Sequence, residues 1–267
     1  MPTHNRSSLV TRAVKSILQQ SYTNIEIIVV DDGSTDDTFE MLKPFIDSGE
    51  IVYLKNDVAN GAPFSRNRAI NIAKGSLITG LDDDDFFLPN RIEVMVDAFD
   101  SKVSFVSTGY EIHGFDRISK VYVAARLIEL EDALLSNIVG NQVLTRTEYM
   151  RSLNGFDESL PAWQDYDMWI RLLRKYGAGK RIDSSSYVVD KSHEHERISG
   201  NTNKIIAAFN VFINKHSEYS ERRNYVALKA SLIQYDISNL KAVDVIDVFC
   251  GGAFKRAAGL IWMRFKN

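Results

Sequence analysis

Gly75-Ser-Leu-Ile-Thr-Gly-Leu-Asp82-Asp83-Asp84-Asp85-Phe-Phe-Leu-Pro89 is the stretch on which the fold turns. Leu77, Ile78 and Leu81 give it the apolar character of a buried strand, and four carboxylates follow where such a strand ends. Adjacent like charges repel, and burying even one unpaired carboxylate costs several kcal/mol, so folding alone gives no reason to place four of them here. A divalent cation would relieve the repulsion. Hard ions such as Mg²⁺ are held by one or two carboxylates together with the phosphate oxygens of a substrate. Open α/β sheets bind ligands beyond the carboxyl ends of their strands, where these aspartates fall. The expectation is a metal–diphosphate site; the plain alternative is a solvated acidic turn.

The bulk composition sets limits on either reading. A chain of 267 residues accommodates one large α/β domain or one domain with an appendage. With 45% hydrophobic and 25% charged residues it can bury a sizeable core, and a net charge of −3 argues against a nucleic-acid partner. The single cysteine, Cys250, excludes an internal disulfide, suits a reducing compartment and reads as a small buried hydrophobe. Met1-Pro-Thr-His-Asn-Arg6 lacks the basic-then-apolar pattern of a secretory leader, and no run of about 18 apolar residues marks a membrane span. A cytoplasmic location is expected.

Outward from the acidic stretch, the chain alternates helix and strand. Leu9, Val10, Ala13, Val14, Ile17 and Leu18 recur at helical spacing within 7–20, with Ser7 or Ser8 as cap. Residues 25–30 form a β-branched run that reads as a buried parallel strand. Gly33 permits a tight turn after it, and Ser34 with Asp37 resembles a capping box. The helix so started carries Phe39, Leu42, Phe45 and Ile46; a strand at 51–54, a helix at 62–73, the central strand and a strand at 103–107 follow. This order predicts an α/β fold with a doubly wound, mostly parallel central sheet and flanking helices. Beyond Gly109 the pattern becomes a hairpin (110–115 and 118–123) and a helix near 129–136, and from Thr202 onward the chain reads as a helical C-terminal appendage.

Several features stand in one order along this frame. They are Pro2-Thr-His-Asn-Arg6, Val29-Val-Asp-Asp-Gly-Ser-Thr-Asp36, Asn60-Gly61 with Arg66-Asn67, Leu81-Asp-Asp-Asp-Asp85 with Pro89, Gly155-Phe-Asp157, and Trp163-Gln-Asp-Tyr-Asp-Met-Trp-Ile-Arg-Leu172. The series resembles the family-two glycosyltransferases of the GT-A fold, inverting enzymes of which many assemble bacterial O-antigens and capsules. The resemblance covers residues 1–200 and implies a catalytic domain there, with a nucleotide-sugar-binding half (1–108) and an acceptor-binding half (109–200), followed by the helical appendage (201–267).

Position by position, the resemblance implies that Asp32 holds the uracil of a UDP-sugar and that Thr3 and Arg66 line the nucleotide. It places Asp82 near the ribose, Asp83 beside it in the nucleotide-sugar site, and Asp84 on the metal, Mn²⁺ or Mg²⁺. The implied donor is UDP-glucose, UDP-galactose or UDP-N-acetylglucosamine. The implied acceptor is a saccharide on a lipid such as undecaprenyl diphosphate, which would put the enzyme at the cytoplasmic face of the inner membrane. The sequence departs from the family pattern in three places. The apolar strand that usually precedes Pro-Thr-x-Asn-Arg is missing, so the expectation is either a start further upstream or a hole in the sheet. The acidic pair before Tyr166 is Gln164-Asp165, and the C-terminal histidine element is doubled as His193-Glu-His195.

An inverting transfer needs one carboxylate to take the proton of the acceptor hydroxyl. Tyr166, Trp169, Ile170 and Leu173 place 162–175 on a helix with a buried face, and Asp165 and Asp167 lie about 200° apart around it. Asp167 precedes Arg171 by four residues, a spacing suited to a surface ion pair. Asp165 sits in the first turn, where the helix dipole favours its anion, and it matches the family's base position; it is the candidate base, with a capping acid as the alternative. By resemblance His193 or His195 completes the metal or diphosphate site; on a strand only one would face it, and His193 is preferred. His4 and His113 read as structural, and Trp163 as an acceptor-stacking or a core residue. In the tail, Trp262 and Phe265 beside Arg264 and Lys266 suit an interfacial helix, or equally a helix closing over the catalytic domain. Two other functions compete: a haloacid-dehalogenase-like phosphatase, suggested by Leu81-Asp82-x-Asp84, and a non-catalytic nucleotide or carbohydrate binder.

Overall fold

The computed structural model describes residues 1–122, 124–140, 142–193 and 202–233. Two short strands, β1 (Pro2–Thr3) and β2 (Ile28–Asp31), pair in parallel with Pro2 opposite Val30, and β3 (Val52–Lys55) continues the sheet beyond β2. Helices α1 (Ser7–Leu18) and α2 (Thr38–Asp47) pack on it, and Val10, Val14, Val29 and Leu42 lose all solvent exposure at their junction. Ser7 opens α1 instead of capping it. The expected capping box before α2 is not made: Ser34 accepts the Asn5 N–H, and Asp36 takes both the amide and the hydroxyl of Thr38. Gly33 turns with φ +76°, and a Cβ there would come within 3.0 Å of the backbone of Val58 and Ala59.

After α3 (Ala62–Ile72) the chain builds a second sheet from β4 (Leu77–Ile78), β5 (Phe86–Phe87), β6 (Phe105–His113), β7 (Ile118–Val121), β8 (Arg126–Ile128), β9 (Val143–Arg146) and β10 (Gly179–Asp190). Its path is β4-β9-β6-β10-β5, with β7 on β6, the expected hairpin, and β8 on β10. Parallel pairing survives in the long β6–β10 ladder, while β9 and β5 run antiparallel to their neighbours. Between strands lie α4 (Arg91–Ala98), α5 (Leu130–Leu135), α6 (Thr147–Ser152) and α7 (Gln164–Tyr176).

The two sheets do not join. β1 ends the first and β4 ends the second, and a cavity of about 680 Å³ runs between them, lined by Ile25, Ile28, Ala69, Leu77, Leu81 and Ile92. The gap stands where the sequence leads one to expect either a hole or a strand from further upstream. It explains why Leu77 and Ile78, expected to be buried mid-sheet, are only half-buried on an edge strand. Met1 stands at its head. The Met1 amine donates to the Ile28 carbonyl at 2.8 Å, and burial pushes its pKa down to about 5.

Helices α8 (Thr202–Lys215) and α9 (Arg222–Ile233) pack on α5 and α7. Tyr166, Ile170, Phe209, Phe212 and Leu228 form that seam, and the Tyr166 hydroxyl donates to the Ala133 carbonyl. Asp167 is not the surface ion pair that its spacing to Arg171 suggested. Its side chain has no solvent exposure, because α8 covers it with Lys215 at 2.8 Å and His216 at 3.0 Å, while Arg171 holds the other oxygen at 2.6 Å.

Two outcomes are expected. Burial alone would raise the Asp167 pKa, but His216, Arg171 and Lys215 outweigh it and hold it near 2. Its stabilising effect is therefore full above the ordinary 3.8 and lost as pH falls through about 2, a loss of about 2 kcal/mol. Asp167→Asn, which strands the Arg171 and Lys215 cations, should cost ~3–5 kcal/mol in urea unfolding at neutral pH. Separately, fusing about five β-branched apolar residues ahead of Met1 should raise Tm by about 5 °C, by letting a strand lie in the cavity. A Gly-Ser fusion of equal length should leave Tm unchanged.

Candidate active site

The acidic turn is buried. Asp83, Asp84 and Asp85 retain 6%, 5% and 1% exposure, which removes the solvated-turn alternative. Part of its repulsion is relieved by partners from distant elements, Arg6 serving both Asp83 and Asp84. Asp82 takes Arg66 of α3 at 2.7 Å, and Asp83 takes Arg6 at 2.8 Å. Asp84 lies 3.2 Å from Arg6 and 3.6 Å from His193 Nε2. Asp85 accepts from the Tyr187 hydroxyl at 2.8 Å and the Asp190 amide at 3.1 Å, both on β10. Arg12 of α1 closes the circle, donating to the Asp84 carbonyl at 2.6 Å and to the Asp190 carboxylate.

Thr3 ends β1 in a buried position, and its carbonyl accepts the Asp32 N–H at 2.8 Å. The Asp32 carboxylate organises the loop that precedes α3. It accepts from the amides of Asn60 and Gly61, from Asn56 Nδ2 and from the Ser65 hydroxyl. Burial would raise its pKa, and these donors, Asn60 first, lower it. The same logic explains the Asn60-Gly61 motif: both amides are aimed at one carboxylate. Asn67 exchanges two hydrogen bonds with the backbone of Phe156, tying α3 to the Gly155-Phe-Asp157 segment that leads into α7.

Arg66 links the two halves. Its guanidinium lies 2.7 Å from Asp82, 3.8 Å from Asp165 and over the Phe156 ring at 5.4 Å. Burial would lower its pKa, but Asp165 and Asp82 raise it. Asp165 is pushed up to about 6, first by burial, against Arg66 and with Asp82 adding to the rise. Its buried Oδ1 has no hydrogen-bond partner. Arg66 thus bridges the acidic turn, through Asp82, and Asp165 on α7. Asp167 points the other way, into α8, as the helical spacing predicted.

Comparison with known proteins follows this geometry. Residues 1–153 match the sequence profile of glycosyl transferase family 2. The chain belongs to that family. It is 34% identical over 237 residues to the putative colanic acid biosynthesis glycosyl transferase WcaA of Escherichia coli, covering 83% of this chain and 81% of the relative. Over 177 residues it is 33% identical to the E. coli enzyme WfgD, a UDP-Glc:alpha-D-GlcNAc-diphosphoundecaprenol beta-1,3-glucosyltransferase, covering 65% of this chain and 68% of WfgD. Among solved structures, Staphylococcus aureus TarS in complex with UDP-GlcNAc superposes with a TM-score of 0.68 at 16% identity, over 96% of this chain and 79% of TarS. The mannosyltransferase PcManGT of Pyrobaculum calidifontis, in complex with GDP-Man and Mn²⁺, gives 0.60 at 17% identity, over 97% of this chain and 83% of its own. These likenesses fix the GT-A fold of this family 2 glycosyltransferase, and membership sets aside the phosphatase reading.

For a metal, the donor set fits. Asp84 Oδ2 and His193 Nε2, 3.6 Å apart, are within the span of two ligands bound at about 2.1 Å to one ion. Among the described residues no three His, Cys, Asp or Glu side chains converge, so further positions fall to substrate oxygens and water. His195 and the Leu240–Asn267 tail lie outside the described residues. No helix among the described residues is long and apolar enough to cross a membrane. His4 bonds the Asp32 carbonyl and His113 bonds Glu111, the structural roles expected of them. Trp163 packs edge-on against Tyr166, Phe209 and Phe212, in the core and not as a stacking platform.

Sequence spacing missed Arg6 and Arg12 as partners of the turn. The available signal was electrostatic: four clustered carboxylates demand cations of their own, and these two arginines follow β1 directly.

Replacing Arg66 with Met should move the Asp165 pKa upward from about 6, because its opposing charge goes and Asp82 loses its partner. Titration of the Asp165 carboxyl ¹³C signal would show the shift; an unmoved or lower value would contradict the assigned cause.

Proposed function

We propose that this family 2 glycosyltransferase moves a hexose from a UDP-sugar to a lipid-linked saccharide, with inversion, in the assembly of a bacterial surface polysaccharide. The observation that carries the reading is Asp165. It is a half-buried carboxylate whose buried Oδ1 has no hydrogen-bond partner, set across Arg66 from the acidic turn. The donors UDP-glucose, UDP-galactose and UDP-N-acetylglucosamine are the candidates, supported by relatives and neighbours that act on or bind such nucleotides. WfgD, whose acceptor is a diphosphoundecaprenol-linked sugar, supports the choice of acceptor. Work on such a lipid would place the protein at the cytoplasmic face of the inner membrane, in contact with it through the C-terminal residues.

In this scheme residues 1–108 hold the donor and 109–200 receive the acceptor. Thr3 and the loop organised by Asp32 enclose the uridine, and Arg66, Asp82 and Asp83 line the sugar nucleotide. Asp84 and His193 would hold Mn²⁺ or Mg²⁺, which when bound offsets the charge on the diphosphate. Asp165 accepts the proton of the acceptor hydroxyl as its oxygen attacks the anomeric carbon. The bond from that carbon to the diphosphate breaks on the opposite face, and UDP departs with the electron pair. Inversion of an α-linked donor gives a β-linked product. A carboxylate raised to about 6 is ionised at neutral pH and more basic than an exposed aspartate, which suits this role.

Assay with the three donors, Mn²⁺ and a diphosphate-lipid acceptor analogue tests the scheme. Asp165→Asn is expected to lower kcat by ~10³-fold with little change in stability, and Asp84→Asn or EDTA to abolish transfer. The wild-type kcat/KM should fall tenfold per unit below about pH 6, because the protonated acid cannot serve as base. Full turnover by Asp165→Asn, or after chelation, would sink the proposal.

A further inference from the structure

Arg6 makes two ion pairs with one nitrogen. Its Nη1 lies 2.8 Å from Asp83 Oδ1 and 3.2 Å from Asp84 Oδ2. The second oxygen is the one that His193 Nε2 approaches at 3.6 Å. The atom best placed to bind a divalent ion is therefore already shared with a guanidinium. One carboxylate oxygen cannot serve both without bringing charges of +1 and +2 within a few ångströms, where their repulsion is strong. We propose that Arg6 is an internal counter-ion that competes with the divalent cation for Asp84, occupying the acidic turn when no metal is bound and ceding Asp84 Oδ2 when one arrives.

Three features of the site make the exchange feasible. Asp83 keeps its own contact with Arg6, so the arginine needs a small displacement, not an excursion, to release Asp84. Arg12, which donates to the Asp84 carbonyl, fixes the backbone independently of either cation. The planar fork of an arginine can hold two carboxylates at once, which a lysine does as a point charge only. The counter-ion also accounts for how the adjacent buried carboxylates of Asp83 and Asp84 can fold before any metal or nucleotide is present.

The inference rests on the reading that Asp84 takes the ion, and a binding measurement separates the two. Free Mn²⁺ is followed by electron paramagnetic resonance as it is titrated into nucleotide-free protein: wild type, Arg6→Gln, Arg6→Lys and Asp84→Asn, each checked for folding by near-ultraviolet circular dichroism. Arg6→Gln is expected to bind Mn²⁺ roughly five- to tenfold more tightly than wild type, Arg6→Lys roughly twofold more tightly, and Asp84→Asn not measurably. If Asp84→Asn loses Mn²⁺ while both Arg6 variants bind as wild type or more weakly, Arg6 is no competitor and the inference is overturned. If Asp84→Asn binds as wild type, the placement of the metal fails instead. Should Arg6→Gln not fold, the Arg6→Lys comparison decides in the same way.

Discussion

Four consecutive carboxylates, three of them buried, are the constraint from which the rest of this structure follows. Each needs a compensating group, and those groups come from several distant elements. Arg66 comes from α3, Arg6 from the turn after β1, Tyr187 and the Asp190 amide from β10, and Arg12 from α1. The turn thereby ties both sheets and three layers of the molecule to one point. These contacts join the two sheets where no ladder runs between β1 and β4, together with the apolar cluster of Ala13, Leu81, Phe87, Ile92 and Tyr187.

Much of the frame could be read from the residues. The helices at 7–18, 62–72 and 164–176, the strands at 28–31 and 52–55 and the hairpin after Phe105 lie close to where apolar periodicity put them. Asp165 and the acidic turn were legible as candidate site residues because they belong to motifs with a fixed order, and Arg66 joins Asp165 to Asp82. What periodicity could not give were partners remote in sequence. Asp167 and Arg171 look like a surface pair within a single helix; only the arrival of Lys215 and His216 from α8 makes the site an interior. The Ser34-Asp37 cap failed for a similar reason, since Asn5, thirty residues away in effect, claims the serine first. Leu77 and Ile78 of β4 are less buried than expected because an apolar run says nothing about whether a neighbour lies on both sides of it.

Helix α7 works as a two-sided component. Toward the cleft it presents Asp165, with one oxygen unsatisfied and its basicity raised by burial. Toward α8 it presents Asp167, held by Arg171, Lys215 and His216 and acidic. Two aspartates separated by one residue thus differ in pKa by environment alone: one site lacks donors and the other has them in excess. Trp163, just before the helix, has a left-handed backbone with φ 64°, a strained conformation for a bulky residue, kept by its packing against Phe209 and Phe212. The first turn that carries Asp165 is therefore set partly by residues of the C-terminal helices.

The burial of Asp167 beneath α8 bears on how the molecule can be divided. A shortened protein ending near residue 201 would retain the full set of cleft residues named above, yet would open a charged hub to water and leave Trp163 and Tyr166 without their aromatic cover. The smallest piece able to hold its own shape thus reaches at least through His216, and crystallisation or expression trials on shorter versions would be working with a loosened core.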